Sequence, residues 1–261
     1  MKRLMLVQLI LGMCVMASAA WAADAAGDKA NESIWTYVPP KWKAADDKKF
    51  SATLEVGNQQ HDGTTSFQGI SGAVALKYEP GIFEVVQTVN YDYLKSEDAV
   101  SKDQLKSYTG LDCYLGYRFW AFLLNDYERN LPQHMSLKMR TGAGVKYDLL
   151  RNSFWKLNFG VAALHREQRS TEGEEKGDEV LSGRLLFKLK ADSVTYNFVG
   201  FYMPSLNNGS YEWSADTSLT FDLTAALALK LGFQYTFNSA PLDADVSKWE
   251  REYYTRIQLK F

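Results

Sequence analysis

The 261-residue chain has only two cysteines, Cys14 and Cys113. Cys14 lies in an apolar N-terminal leader, so one cysteine is left and an internal disulfide framework is excluded. Cys113 reads as a small apolar residue on a strand face. Histidine is as scarce: His61, His134 and His165 are the only three, without the spacing of a metal-ligand set. No cofactor is implied. An excess of one charge is also missing. Lys and Arg number 29 against 31 Asp and Glu, a net charge of -2, and nucleic-acid binding would need a basic excess. Beyond the leader no run of 18 apolar residues occurs, so no later segment can cross a bilayer as a helix.

What the chain does contain points to a membrane all the same. Aromatic residues make up 14%, as expected where girdles of Tyr, Trp and Phe mark both membrane interfaces. Residues 1–22 read as a signal peptide. Lys2 and Arg3 begin it, Leu4 to Val15 form its apolar centre, and Ala20-Trp21-Ala22 sets cleavage before Ala23. Residues 23–48, with Pro39-Pro40 and Trp42, read as a periplasmic tail. From 49 to 261 the hydrophobic period is two. The alternating runs lie at about 50–59, 66–79, 82–95, 104–119, 121–130, 134–148, 154–168, 178–191, 193–205, 210–222, 226–238 and 250–261. In 226–238, for example, Leu227, Leu229, Leu231, Phe233, Tyr235 and Phe237 alternate with Lys230, Gly232 and Gln234. Only 121–130 has no clear phase.

Without a spanning helix, a membrane chain must close its backbone hydrogen bonds as a barrel. The reading is therefore an all-β, transmembrane antiparallel β-barrel of about 12 strands. A soluble sandwich also alternates, but its strands usually run about 5–6 residues. Tight turns are expected near 80, 120, 151, 192 and 224. Longer polar loops are expected at 60–65, 96–103, 169–178 and 239–249. Short periplasmic turns and long outer loops place both termini in the periplasm. The last run, with Tyr253, Ile257, Leu259 and Phe261 on one face, has the form of a signal for the barrel assembly machinery.

Two stretches carry a family resemblance. One runs from Asn125-Asp126-Tyr127-Glu128-Arg129-Asn130-Leu131 through Leu137 and Arg140 to Thr141-Gly142-Ala143-Gly144-Val145-Lys146-Tyr147. The other is Tyr202-Met203-Pro204-Ser205-Leu206, followed by Leu219-Thr220-Phe221, Leu229-Lys230-Leu231 and Asn238-Ser239-Ala240-Pro241. Over roughly residues 50–261 the chain resembles the salt-induced outer membrane protein family, which has no established biochemical activity. The resemblance implies an outer-membrane barrel and supplies no catalytic residues. The ending Gln258-Leu259-Lys260-Phe261 departs from the family's frequent Gly-Tyr-x-Phe.

Three groups are candidates for chemistry. His134-Met135-Ser136 has the spacing that puts a base and a nucleophile on one strand face, as in outer-membrane lipid hydrolases. The run Glu172, Glu174, Glu175 and Asp178 reads as an acidic, solvated loop. The third group is the charge on the inward phase. Lys138, Arg140, Lys146, Lys156, Arg184, Lys188 and Lys190 form a basic wall. Glu84, Asp92, Asp112, Glu212, Asp216 and Asp222 form an acidic one. Facing walls would set a transverse field across a narrow pore. The same charges, paired across the lumen, would plug it. The sequence thus predicts a monomeric barrel that is not an enzyme, with outer-membrane lipid and the assembly machinery as partners. It is a narrow channel for small charged solutes, or else an occluded barrel with a structural or envelope-stress role.

Overall fold

A computed structural model of the chain describes residues 37, 40, 49–62, 67–96, 99–131, 134–241 and 246–261. The signal peptide and all of the tail except Tyr37 and Pro40 lie outside the described residues. Twelve strands follow: β1 (Lys49–Asp62), β2 (Phe67–Glu79), β3 (Phe83–Ser96), β4 (Ala99–Gly116), β5 (Phe119–Asn130), β6 (Met135–Arg151), β7 (Trp155–Ser170), β8 (Glu175–Ala191), β9 (Val194–Pro204), β10 (Tyr211–Asp222), β11 (Leu227–Asn238) and β12 (Trp249–Lys260). Each pairs antiparallel with its neighbours in sequence, and β1 pairs with β12 to close the barrel.

The connections differ from expectation at one end. The short-turn end, after the even strands, is as predicted; Tyr117 and Arg118, at φ 49° and 71°, join β4 to β5 with the left-handed geometry of a tight hairpin turn. At the other end, β3 and β4 continue to Ser96 and Ala99, and β7 and β8 to Ser170 and Glu175. Polar residues that read as loop prolong the ladder instead. Arg169 reaches Glu175 at 2.5 Å and Arg129 reaches Asp103 at 2.7 Å across neighbouring strands. Only the β11–β12 connection, 239–248, remains long.

The apolar phase points outward. Ile70 is 71% exposed and Ile257 56%, whereas Glu55, Asp92 and Arg256 are buried. Such a surface is what a bilayer covers. Two aromatic groups lie at its edges. Near the short turns, Phe119 meets Tyr147, and Phe187 lies between Trp155 and Tyr196. Near the long-loop end Trp213 stacks on Tyr235 at 4.6 Å, beside the Tyr202, Tyr211 and Phe237 series and the Phe233–Tyr253 pair. Cys113 is buried and unbridged.

The phase of β5 is settled by burial: Trp120, Phe122 and Leu124 point inward. With Ala162, Leu164, Val180 and Met203 they form an apolar cluster inside the barrel, flanked by Tyr108 and Phe201. Gly144 on β6 makes room for it. A Cβ at Gly144 would stand 2.7 Å from both the Phe122 ring and the Ala162 methyl, and 2.2 Å from the Val161 carbonyl oxygen. Gly144→Ala is therefore expected to destabilise the barrel by about 1–3 kcal/mol, the usual cost of overpacking. A lowered urea midpoint in detergent would show it; an unchanged midpoint would contradict this packing.

Candidate lumen site

Glu212 organises the long-loop half of the lumen. It leaves β10, and its carboxylate meets two strands on the far side of the barrel. Lys138 Nζ donates to Oε2 at 2.8 Å and Arg140 Nη1 to Oε1 at 2.9 Å, with Arg166 Nη1 at 3.6 Å from Oε2. Arg140 also pairs with Asp126. Arg166 binds Asp178 at 2.6 Å, and Asp178 accepts the Ser205 hydroxyl at 2.9 Å. Asp178 is thus a buried member of the network rather than part of a solvated loop.

Further along, Lys146 pairs with Asp112 across β5 and lies 4.8 Å from the centre of the Trp120 ring. Lys156 Nζ lies 3.6 Å from Glu84, which also meets Lys77 at 3.5 Å. Asp222 pairs with Lys260, and Asp216 receives the Tyr254 hydroxyl at 3.3 Å. Asp92 is buried. Arg184 lies over the Phe201 ring at 5.4 Å, with no carboxylate partner among the described residues. Lys188 and Lys190 stand exposed near the short turns.

The two walls read from the sequence are therefore joined in part, through Lys138 and Arg140 with Glu212, Lys146 with Asp112 and Lys156 with Glu84. Buried charges are costly unless paired, and the chords β6–β10 and β3–β7 supply the pairing.

Several members of this arrangement were missed in the sequence. Glu55, Lys230 and Arg256 form a second cluster: Lys230 Nζ is 3.2 Å and Arg256 Nη1 3.2 Å from the Glu55 carboxylate, which also accepts Gln258 Nε2 at 2.6 Å. All three occupy the polar phase of their strands, so their direction was legible; their convergence needed the β1–β12 closure. Asp126 and Glu128 were hidden by the uncertain phase of β5. At the short-turn end Trp120 Nε1 donates to Asp148 at 2.8 Å, and Arg151 covers the other part of the ring at 4.8 Å. Tyr37, from the tail, donates its hydroxyl to Tyr114 at 3.3 Å beneath the Arg118 guanidinium.

The His134–Ser136 spacing does not survive folding. Register shifts between Met135 and Leu137, so Ser136 occupies a bulge and the side chain buried there is Met135. The Ser136 hydroxyl lies 2.8 Å from the Ser170 carbonyl and 3.1 Å from that of Arg169. His134 is a turn residue with φ 53°.

Two cavities remain open in the lumen. The outer one, about 250 Å³, is bounded on one side by Leu124, Leu164, Phe201 and Met203 and on the other by the Glu212 network; Pro241, Val246, Ser247 and Lys248 of the long loop turn in to line it. The middle one, about 190 Å³, lies against Glu55, Asp92, Asp216 and Arg256. Lys106 and Gln234 line both.

Glu212→Gln removes the charge that Lys138, Arg140 and Arg166 share. Breaking a buried pair from one side costs about 3–5 kcal/mol. The variant is expected to unfold in detergent at lower urea than the parent. Lys138→Met combined with Glu212→Leu is expected to lose less than the single change, because no buried charge of that pair is then left alone. Equal losses would argue against the pairing.

Solved structures similar to this barrel include a porin and an outer membrane channel. A NanC porin is 10% identical, with 80% of this chain and 100% of that chain covered at a TM-score of 0.54. The COG4313 outer membrane channel from Pseudomonas putida F1 is 11% identical, with 90% and 100% covered at 0.49. At 10% identity the likeness to the NanC porin shows the fold alone. No curated protein matches the chain. Residues 54–261 match the family described as "Protein of unknown function, DUF481", and the chain belongs to it.

Proposed function

We propose that this barrel is a narrow outer-membrane channel for small charged solutes. The short-turn end and both termini face the periplasm. Export uses residues 1–22 as a cleaved signal, and insertion uses the outward face of Tyr253, Ile257, Leu259 and Phe261. That face is exposed, and Phe261 exchanges backbone hydrogen bonds with Ala52 at 2.9 and 3.2 Å.

One observation carries the channel reading. The outer and middle cavities share Lys106 and Gln234 in their linings, and on this reading they join there into a polar route beside the apolar cluster. Both are wide enough for water and a small ion. The outer cavity is lined by four carboxylates and four cationic side chains, the middle one by four and three, with Lys106 common to both; the lining thus carries eight carboxylates against six cations. Lys106 stands among the carboxylates of Asp92, Glu128, Glu250 and Glu252. The route favours cations, and Lys106 opposes them where it is shared by both cavities.

The chords Lys138–Glu212 and Lys156–Glu84 favour a second reading, an occluded barrel with a structural role. Planar bilayers separate the two. Purified protein is expected to give discrete, small conductance steps with reversal potentials favouring K⁺ over Cl⁻ in a KCl gradient. Lys106→Met is expected to raise that preference at least twofold. A reconstituted barrel that never conducts would sink the channel reading and leave the occluded one.

A further inference from the structure

The outer wall is not uniform around the barrel. On β9 to β12 it carries Tyr202, Trp213, Leu219, Leu231, Phe233, Tyr253 and Ile257, as a lipid-facing wall should. On β3 to β6 a polar row interrupts it. Gln87 pairs in register with Thr109, Thr109 with Asn125, and Asn125 with Thr141. These four lie on the outward phase of four consecutive strands. The Thr109 hydroxyl donates to Gln87 Oε1, Gln87 Nε2 donates to the Ser107 hydroxyl at 3.0 Å, and Asn125 Nδ2 donates to the Thr141 hydroxyl at 2.7 Å. At its β6 end the row continues in register into the outward pair His165–Glu179, whereas its β3–β4 part is set among apolar residues. Val85 and Val89 flank Gln87 on the same face, and Leu105 and Leu111 bracket Ser107 and Thr109. The adjoining row, Leu123, Ala143 and Ala163, shortens its side chains from β5 to β7.

We propose that this face of β3–β6 is where two copies of the barrel associate within the membrane. Acyl chains offer amides and hydroxyls nothing to bond, so a polar row facing lipid gains nothing there. Interfaces between membrane segments, by contrast, are enriched in small residues and in hydrogen-bonding polar ones. The chemistry of the row selects a second copy. It alternates amide and hydroxyl, and each group can both donate and accept, so the surface is complementary to itself. Two copies inserted in the same direction are related by a two-fold axis along the membrane normal, which brings like face to like face. Thr109 and Asn125, the middle members, lie nearest that axis. The sequence expectation of a monomer gives way on this reading, which does not depend on whether the barrel conducts.

The test uses the full chain with Cys14 and Cys113 replaced by serine. Asn125→Cys, oxidised in native membranes, is expected to give a disulfide-linked band at twice the chain mass. Leu219→Cys, on the opposite wall, is expected to stay single. Asn125→Leu with Thr141→Val should leave a heat-modifiable, folded barrel whose mass in mild detergent by light scattering falls from two chains to one, with association at least tenfold weaker. Asn125→Cys that stays single, or cross-links only to a protein of another mass, overturns the proposal. So does a folded double variant whose mass is unchanged. Should the double variant not fold, the cysteine result on the folded chain decides.

Discussion

Everything in this molecule depends on one closure, the pairing of β1 with β12. Ten residue pairs, from Thr53 with Lys260 to Asp62 with Arg251, join the ends of the sheet. In hydrocarbon an open sheet edge would leave a row of amides and carbonyls with no partner, so the fold has no partly closed state available to it. Closure also fixes the circumference at twelve strands, between small barrels filled by side chains and porins with a wide aqueous lumen. The interior is then too narrow to keep long charged side chains apart and too wide for aliphatic packing alone to fill.

That intermediate size explains the lumen. Lys138, Arg140 and Arg166 extend from β6 and β7, and Glu212 extends from β10 to meet them. Leaving either side without the other would strand a buried charge, so the chord is held by the penalty of breaking it rather than by a large net gain from forming it. The same reasoning covers Glu55 with Lys230 and Arg256, where the acid sits on β1 and its partners on β11 and β12. This second cluster exists only because the barrel closes, which ties the charge network to the backbone constraint. Between the two clusters the charges do not interlock fully, and the two cavities lie there.

The strands were legible in the sequence because a period of two is a local property, written separately into each hairpin. All twelve predicted runs are strands, and in β12 the alternation read from the sequence is visible in burial, with Tyr253, Ile257 and Leu259 exposed and Glu252, Arg256 and Gln258 buried. Loop lengths were less legible. Polarity marked 96–103 and 169–178 as loop, yet polar strand outside a bilayer is as stable as polar loop when its charges pair across strands, as Arg169 and Glu175 do. Which acid meets which base was not legible at all. Glu212 and Lys138 are 74 residues apart, and no local pattern encodes a chord through the lumen. The Ser136 bulge was hidden for the opposite reason: a single extra residue reverses a phase without changing the composition around it.

The ambiguous phase of β5 has a physical cause that links these observations. On this sector the wall is turned partly inside out. Phe122 and Leu124 point into the barrel with Ala162, Leu164 and Val180, while Asn125 points out beside Thr109 and Thr141. A strand with apolar residues on its inner phase and an amide on its outer one gives no clean alternation of oil and water, because neither face has one solvent. The inner apolar cluster occupies the β5–β9 side of the lumen and bounds the outer cavity, whereas the middle cavity is lined by the charged strands β1 to β4 and β10 to β12. On the outside, the aromatic residues of β5 and β6, Phe119 and Tyr147, lie near the short turns, and the polar row lies further along the same strands. Inversion inside and polarity outside therefore belong to one stretch of chain: inside, it fills one side of the lumen with apolar side chains; outside, it presents amides and hydroxyls that acyl chains cannot hydrogen-bond.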